Sequence, residues 1–328
     1  MRPSRLWPIL VVTWLAGCTS EDSTQTSNRG AYPIVGGTAE TGYLGVGALE
    51  IRRGAGTALC TGTKIGDGWV LTAAHCVVSR TAADVRFFDG PDVSGPGNWH
   101  AARALHVHPL YVPGDPPAGV PTQNDVALVE VTGIGALPTY ETAASPAGLA
   151  PGLPVTWVGY GLDHVAPESG SGVKRRGAGH LSEIYWTQLV YDFETAMPCR
   201  GDSGGPMFAT VGGRERIIGV VSTGDEDCAV AGIDMRLDAF ADWIADAMAG
   251  GGTGSCDPTG ADCSIGACLP DASDRFVCVP TDGDGPGTAC DPDGASWSVT
   301  VPCADGFVCL AASSAPGDGR CHALCRVD

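Results

Sequence analysis

The residues whose types and spacing could do chemistry lie in the run Met197-Pro198-Cys199-Arg200-Gly201-Asp202-Ser203-Gly204-Gly205-Pro206. A serine hydroxyl is a poor nucleophile at neutral pH. To attack a carbonyl it needs a general base beside it and donors aimed at the oxyanion that forms. Glycines on both sides of Ser203 let the backbone turn sharply, so the N–H groups of Gly201 and Ser203 can point into one small hole. Asp202 then sits behind the hole, where a buried carboxylate must find a cation.

These ten consecutive positions resemble the nucleophile signature of trypsin-like (chymotrypsin-fold) serine proteases. Gly201-Asp202-Ser203-Gly204-Gly205 also fits the G-x-S-x-G pattern of α/β-hydrolases. That fold places its histidine after the serine, and the histidine that follows Ser203 here is His322, in a cysteine-dense tail. The order available upstream is His75, Asp125, Ser203, which is the chymotrypsin order. His75 closes the run Trp69-Val70-Leu71-Thr72-Ala73-Ala74-His75-Cys76, whose apolar start suits a buried strand and whose Thr-Ala-Ala begins a turn. The resemblance makes His75 the general base. Asp125 opens Asp125-Val126-Ala127-Leu128-Val129, and an aspartate leading an apolar run needs a donor. The tetrapeptide alone also fits an acid capping a strand end. Its order relative to His75 and Ser203 assigns it to the imidazole N–H, where it would fix the tautomer and stabilise the imidazolium.

The same resemblance extends to the parts around this triad. Ile34-Val35-Gly36-Gly37 is similar to the mature N-terminus of the family, where a freed isoleucine ammonium pairs with the aspartate before the nucleophile, here Asp202. The sequence departs from the family just upstream, with Tyr32-Pro33 where a basic residue is usual, so the expected cut follows Pro33. Ser222, Thr223 and Gly224 would line the specificity pocket, Gly232 its far wall and Met197 its floor. A thioether cannot pair with a cation, so an apolar residue is expected before the scissile bond. The implied disulfides are Cys60–Cys76 beside the histidine and Cys199–Cys228 beside the pocket.

The elements that must position these groups read as strands and loops. Val158-Gly159-Tyr160-Gly161 matches a family strand end, and the second half of the domain is expected to start near Pro151. Leu237, Phe240, Ala241, Ile244 and Met248 recur at helical spacing, with Asp238, Asp242 and Asp246 on an outward line. The expected fold is all-β: two antiparallel six-stranded β-barrels with a C-terminal α-helix, followed by a small disulfide-rich module. The domain divisions are a signal peptide over 1–18, a polar tether over 19–33, the protease domain over 34–249, a Gly-rich linker over 250–255 and a cysteine-rich repeat module over 256–328. His106 and His108 form an H-x-H, but His108-Pro109-Leu110-Tyr111 matches a family surface segment, and Asp84, Asp89 and Asp92 read as a solvated face. No metal and no cofactor is expected.

Composition places the chain outside the cell interior. The formal net charge is -18, which repels nucleic-acid phosphates and anionic membrane surfaces. Arg2 and Arg5 precede an apolar run from Leu6 to Ala16 that is too short to span a bilayer. Leu15-Ala16-Gly17-Cys18 resembles a bacterial lipobox, with Cys18 as the acylated residue; a plain secretory cut near the same point is the alternative. The 14 cysteines are dense enough to imply disulfides and an oxidising compartment. Eight of them form two imperfect repeats beginning at Cys256-Asp257-Pro258 and Cys290-Asp291-Pro292, with Cys325 left over. The expected protein is an exported serine endopeptidase, secreted or held at the outer membrane or cell surface, acting on protein or peptide substrates. Its contact with a membrane is through a lipid on Cys18 alone. The competing reading is an exported binding or adhesion protein with a latent protease-like domain.

Overall fold

The computed structural model describes residues 34–114 and 122–250, and the backbone of five strands between 267 and 323. The expectations for the signal segment, Cys18, Pro33 and the linker beyond Gly250 lie outside the described residues.

Among the described residues, seven strands come before residue 132: β1 (Thr38–Ala39), β2 (Val46–Arg53), β3 (Gly56–Gly66), β4 (Trp69–Thr72), β5 (Val85–Phe88), β6 (Trp99–Val107) and β7 (Ala127–Val131). The last six close into an antiparallel barrel in the order β2-β3-β4-β7-β6-β5. Its two faces are covered by buried side chains: Val70 pairs with Val129 on one face and Leu71 with Leu128 on the other, and these, with Val46, Leu49 and Ile51, are all at most 1% exposed. Burying each aliphatic side chain of this size stabilises by roughly 1.5–3 kcal/mol. β-Branched and apolar residues dominate these strands because they fit a pleated, packed surface.

The second half contains β8 (Pro154–Gly159), β9 (His164–Val165), β10 (Glu168–Ser169), β11 (Arg175–His180), β12 (Glu183–Ile184), β13 (Gln188–Asp192), β14 (Pro206–Val211), β15 (Arg214–Gly224) and β16 (Ala231–Arg236). One eight-stranded ladder runs β1-β11-β8-β14-β15-β16-β13-β12. Six of these strands have five residues or more, and the two-residue strands β1 and β12 extend the ladder at its ends. The all-β organisation in two halves agrees with the expected double barrel, and the added edge strands account for the strand count. The β14–β15 hairpin turns through Gly212 and Gly213, at φ 59° and 77°. A two-residue turn of matching twist requires positive φ at both positions, which glycine adopts freely.

A 3-10 turn over Leu237–Phe240 leads into the helix Ala241–Met248, which buries Trp243, Ile244 and Ala247. The Met248 methyl reaches Gly66 of β3, so the C-terminal helix closes onto the first barrel. One expectation fails here. Asp238 is fully buried and bonded to Arg236 at 2.9 Å, not on an outward line with Asp242 and Asp246. The 3-10 turn has three residues per turn, which rotates Asp238 away from the 3.6-residue stripe. A second correction concerns His108, which is buried between Phe240 and Trp243 at ring distances of 5.3 and 5.1 Å instead of lying on the surface. Burial drives its pKa down to about 3, so it stays neutral.

In the tail, β17 (Ala267–Pro270) pairs with β18 (Phe276–Val279), and β21 (Gly319–Ala323) lies between β19 (Ala289–Cys290) and β20 (Phe307–Ala311). The registers set Cys268 opposite Cys278 and Cys309 opposite Cys321.

Candidate active site

The short helix Ala74–Val77 follows directly on β4 and carries His75. Asp125 precedes β7, which pairs with β4 through Thr72 and Ala127, so the ladder itself brings the two residues together. Asp125 is 0% exposed. Its Oδ1 accepts the backbone N–H of His75 at 2.8 Å, and its Oδ2 accepts His75 Nδ1 at 2.7 Å and the Ser222 hydroxyl at 2.6 Å. A carboxylate only accepts, so the proton of the imidazole bond resides on Nδ1 and the lone pair is left on Nε2. Three donors on one buried carboxylate offset its desolvation. The imidazole side chain remains 31% exposed, open to a ligand.

Ser203 lies in the loop between Met197 and β14. Thr61 of β3 ties this loop to the barrel: its N–H donates to the Ser203 carbonyl at 2.8 Å and its hydroxyl to the Gly201 carbonyl at 3.0 Å. Gly201 and Gly204 have φ of 99° and 81°. A Cβ on Gly204 would fall 2.0 Å from Thr72 Oγ1, so neither the backbone angle nor the space tolerates a side chain there. Among the described residues, the N–H groups of Gly201 and Ser203 donate to no hydrogen bond, whereas those of Asp202, Gly204 and Gly205 are all used. Two N–H groups beside the serine side chain are thus left without an acceptor among the described residues. Among the described residues the Ser203 hydroxyl makes no hydrogen bond to the imidazole. The two residues meet through Cys76, whose sulfur lies 3.7 Å from His75 Nε2 and 3.7 Å from the Ser203 carbonyl oxygen. Bonds of this type tighten when substrate binds.

Asp202 is fully buried behind the loop. The N–H of Gly161 donates to Oδ1 at 2.7 Å and that of Cys199 to Oδ2 at 2.9 Å. Burial nevertheless pushes its pKa up to about 7, against those bonds and the nearby Arg175 charge. Asp202 has no ion pair among the described residues. Ile34 is 0% exposed, with its side chain against Gly177 and Ala196. Val35 bridges to Met197, whose N–H donates to the Val35 carbonyl at 2.9 Å. The segment around Ile34 and Val35 therefore bridges to Met197, which leads into the nucleophile loop.

A cavity of about 470 Å³ opens at Ser203 and is lined in part by Ser222, Thr223, Gly224 and Cys199. Met197 is 0% exposed and stands behind this wall, its methyl 3.8 Å from where a Gly224 Cβ would be. Gly232 backs onto Tyr191, and Tyr191 lines the cavity. Sequence reasoning missed Tyr191, Thr61 and Asp234. The inward alternation of Leu189 and Tyr191 on β13 was the available signal for the first. Disulfides join Cys60 to Cys76 and Cys199 to Cys228. The sulfurs near His75 are thus engaged in a covalent bond and are not free thiolate ligands. His106 bonds Glu130, while Asp84, Asp89 and Asp92 each lock a separate loop through Thr81, Asn98 and Ser94.

The family model described as Trypsin matches residues 34–244. Human granzyme M is 29% identical over 182 residues, covering 50% of this chain and 67% of that protein. Chymotrypsin-like elastase family member 1 of Bos taurus is 26% identical over 272 residues, covering 74% and 98%. A trypsin of Saccharopolyspora erythraea is 28% identical over 205 residues, covering 57% and 86%.

Proposed function

The chain belongs to the trypsin family and is a serine endopeptidase, and from that premise we propose that Ser203, His75 and Asp125 carry its chemistry. His75 Nε2 takes the Ser203 proton as the hydroxyl oxygen attacks the scissile carbonyl. Asp125 holds the imidazole in the tautomer this requires and stabilises the cation that results. The N–H groups of Gly201 and Ser203 receive the oxyanion. The imidazolium then protonates the leaving amine, and water repeats the sequence on the acyl-enzyme. The observation that carries this reading is the buried Asp125 carboxylate bonded at 2.7 Å to Nδ1, which leaves the basic lone pair on Nε2. A fluorophosphonate should label Ser203, and Ser203→Ala should abolish both labelling and peptidase activity. Labelling that persists in Ser203→Ala would refute the assignment.

Activation is by a cut that frees Ile34, whose ammonium would supply the cation that Asp202 lacks. Before that cut the domain is latent. N-terminal sequencing of active material tests this, and a start at Ala31 or earlier would refute it. The residue before the scissile bond is apolar. Support comes from Met197, whose thioether offers no charge to a cationic side chain. The lipobox-like Cys18 and the disulfides support an exported enzyme held by a lipid, with residues 256–328 as a separate cysteine-rich module. Mass spectrometry of the mature N-terminus distinguishes a lipidated Cys18 from a plain secretory cut.

A further inference from the structure

Tyr191 lies on β13 directly opposite Gly232 of β16. Its ring is 1% exposed, packs on Trp157 at a centroid distance of 4.5 Å, and borders the cavity that opens at Ser203. A Cβ added to Gly232 would lie 2.3 Å from the Tyr191 hydroxyl oxygen and 2.4 Å from Cζ. The room that any side chain at 232 would take is therefore filled by the tip of the phenol. Asp234 stands behind it, fully buried, accepting the Trp157 indole N–H at 3.2 Å and interacting with the Tyr191 hydroxyl. Its other oxygen, Oδ1, has no hydrogen-bond partner among the described residues. The ring is thus fixed on its face by Trp157 and at its tip by a carboxylate.

We infer that Tyr191 is a specificity-determining residue that closes the inner end of the substrate pocket, with Asp234 as its positioning partner. The inference rests on the protease reading above and deepens its apolar preference into a limit on size. Met197, entirely buried behind the Gly224 wall, does not set the depth of the pocket; the phenol does. Shortening the residue at 191 adds room at the far end, where one methylene of substrate is discriminated by roughly 10- to 200-fold.

The test uses the activated full chain and two variants, Tyr191→Leu and Tyr191→Phe, each normalised by fluorophosphonate titration of Ser203. The readout is the ratio of kcat/KM for a peptide with Phe before the scissile bond to that for the same peptide with Ala. Tyr191→Leu should raise the ratio about tenfold or more, and Tyr191→Phe should raise it less but in the same direction. A residue with a purely structural role would change the titratable fraction and leave the ratio alone. An unchanged ratio in both titrated variants overturns the inference, and if Tyr191→Leu does not fold, Tyr191→Phe decides by the same criterion. Failure of the protease reading looks different: wild-type protein would show no titratable serine. A wild-type preference for Arg or Lys would refute the apolar reading instead.

Discussion

Freeing the ammonium of Ile34 should change how stability depends on pH, and Asp202 sets the size of the effect. Burial raises its pKa from 3.8 to about 7. In the unfolded chain the same group titrates near its ordinary value. Between these two pKa values the folded, uncut protein therefore holds a proton that the unfolded chain has released. Stability falls with rising pH across that window, by about 1.36 kcal/mol per pH unit, or about 4 kcal/mol in all. An ammonium beside Asp202 favours the carboxylate, lowers its pKa and removes the loss. The assay is urea unfolding, from pH 4.5 to 7.5, of Ser203→Ala protein whose first residue is Ile34 and of the same protein retaining the preceding residues. The stability advantage of the cut form should grow by about 3 kcal/mol over this range. Asp234, raised to about 8, and His108, lowered to about 3, titrate alike in both forms and cancel in the difference. Parallel pH curves for the two forms would refute the reasoning.

Further outcomes follow from the same geometry. Asp125→Ala removes the acceptor for Nδ1 and should lower kcat by several orders of magnitude at unchanged thermal stability within a few degrees, read by single-turnover acylation and Tm. Gly204→Ala places a Cβ 2.0 Å from Thr72 Oγ1 at a φ of 81° and should destabilise by several kcal/mol, measured by urea unfolding. Replacing Cys199 and Cys228 together by serine opens a link spanning 29 residues and should lower stability by about 3–4 kcal/mol. Kcat/KM should fall with it, since Cys199 and Cys228 both line the pocket. In the tail, the opposed registers predict that non-reducing peptide mapping recovers Cys268 joined to Cys278 and Cys309 joined to Cys321.

Much was legible in the linear order because local chemistry and chain order carry it. The apolar run after Asp125 and the run before His75 became neighbouring strands, which is why two residues fifty positions apart meet. The glycines around Ser203 marked a loop in which side chains do not fit. The all-β class was what the resemblance to trypsin-like proteases implied. What escaped were positions whose environment is made by distant elements. His108 looked like part of a surface segment until the C-terminal helix covered it with Phe240 and Trp243. Asp238 looked solvent-facing until a tighter turn swung it onto Arg236.

The sequence alone determined the resemblance to the family, and with it the expected strand-rich fold, and the order of the three reactive residues, since motifs are properties of neighbours in the chain. Only the tertiary structure decided what stands at the end of the pocket. Tyr191, Gly232, Asp234 and Trp157 come from three strands, and the space one of them leaves is filled by another. Such complementarity is a property of packing across strands, where volume is shared between residues far apart in the chain.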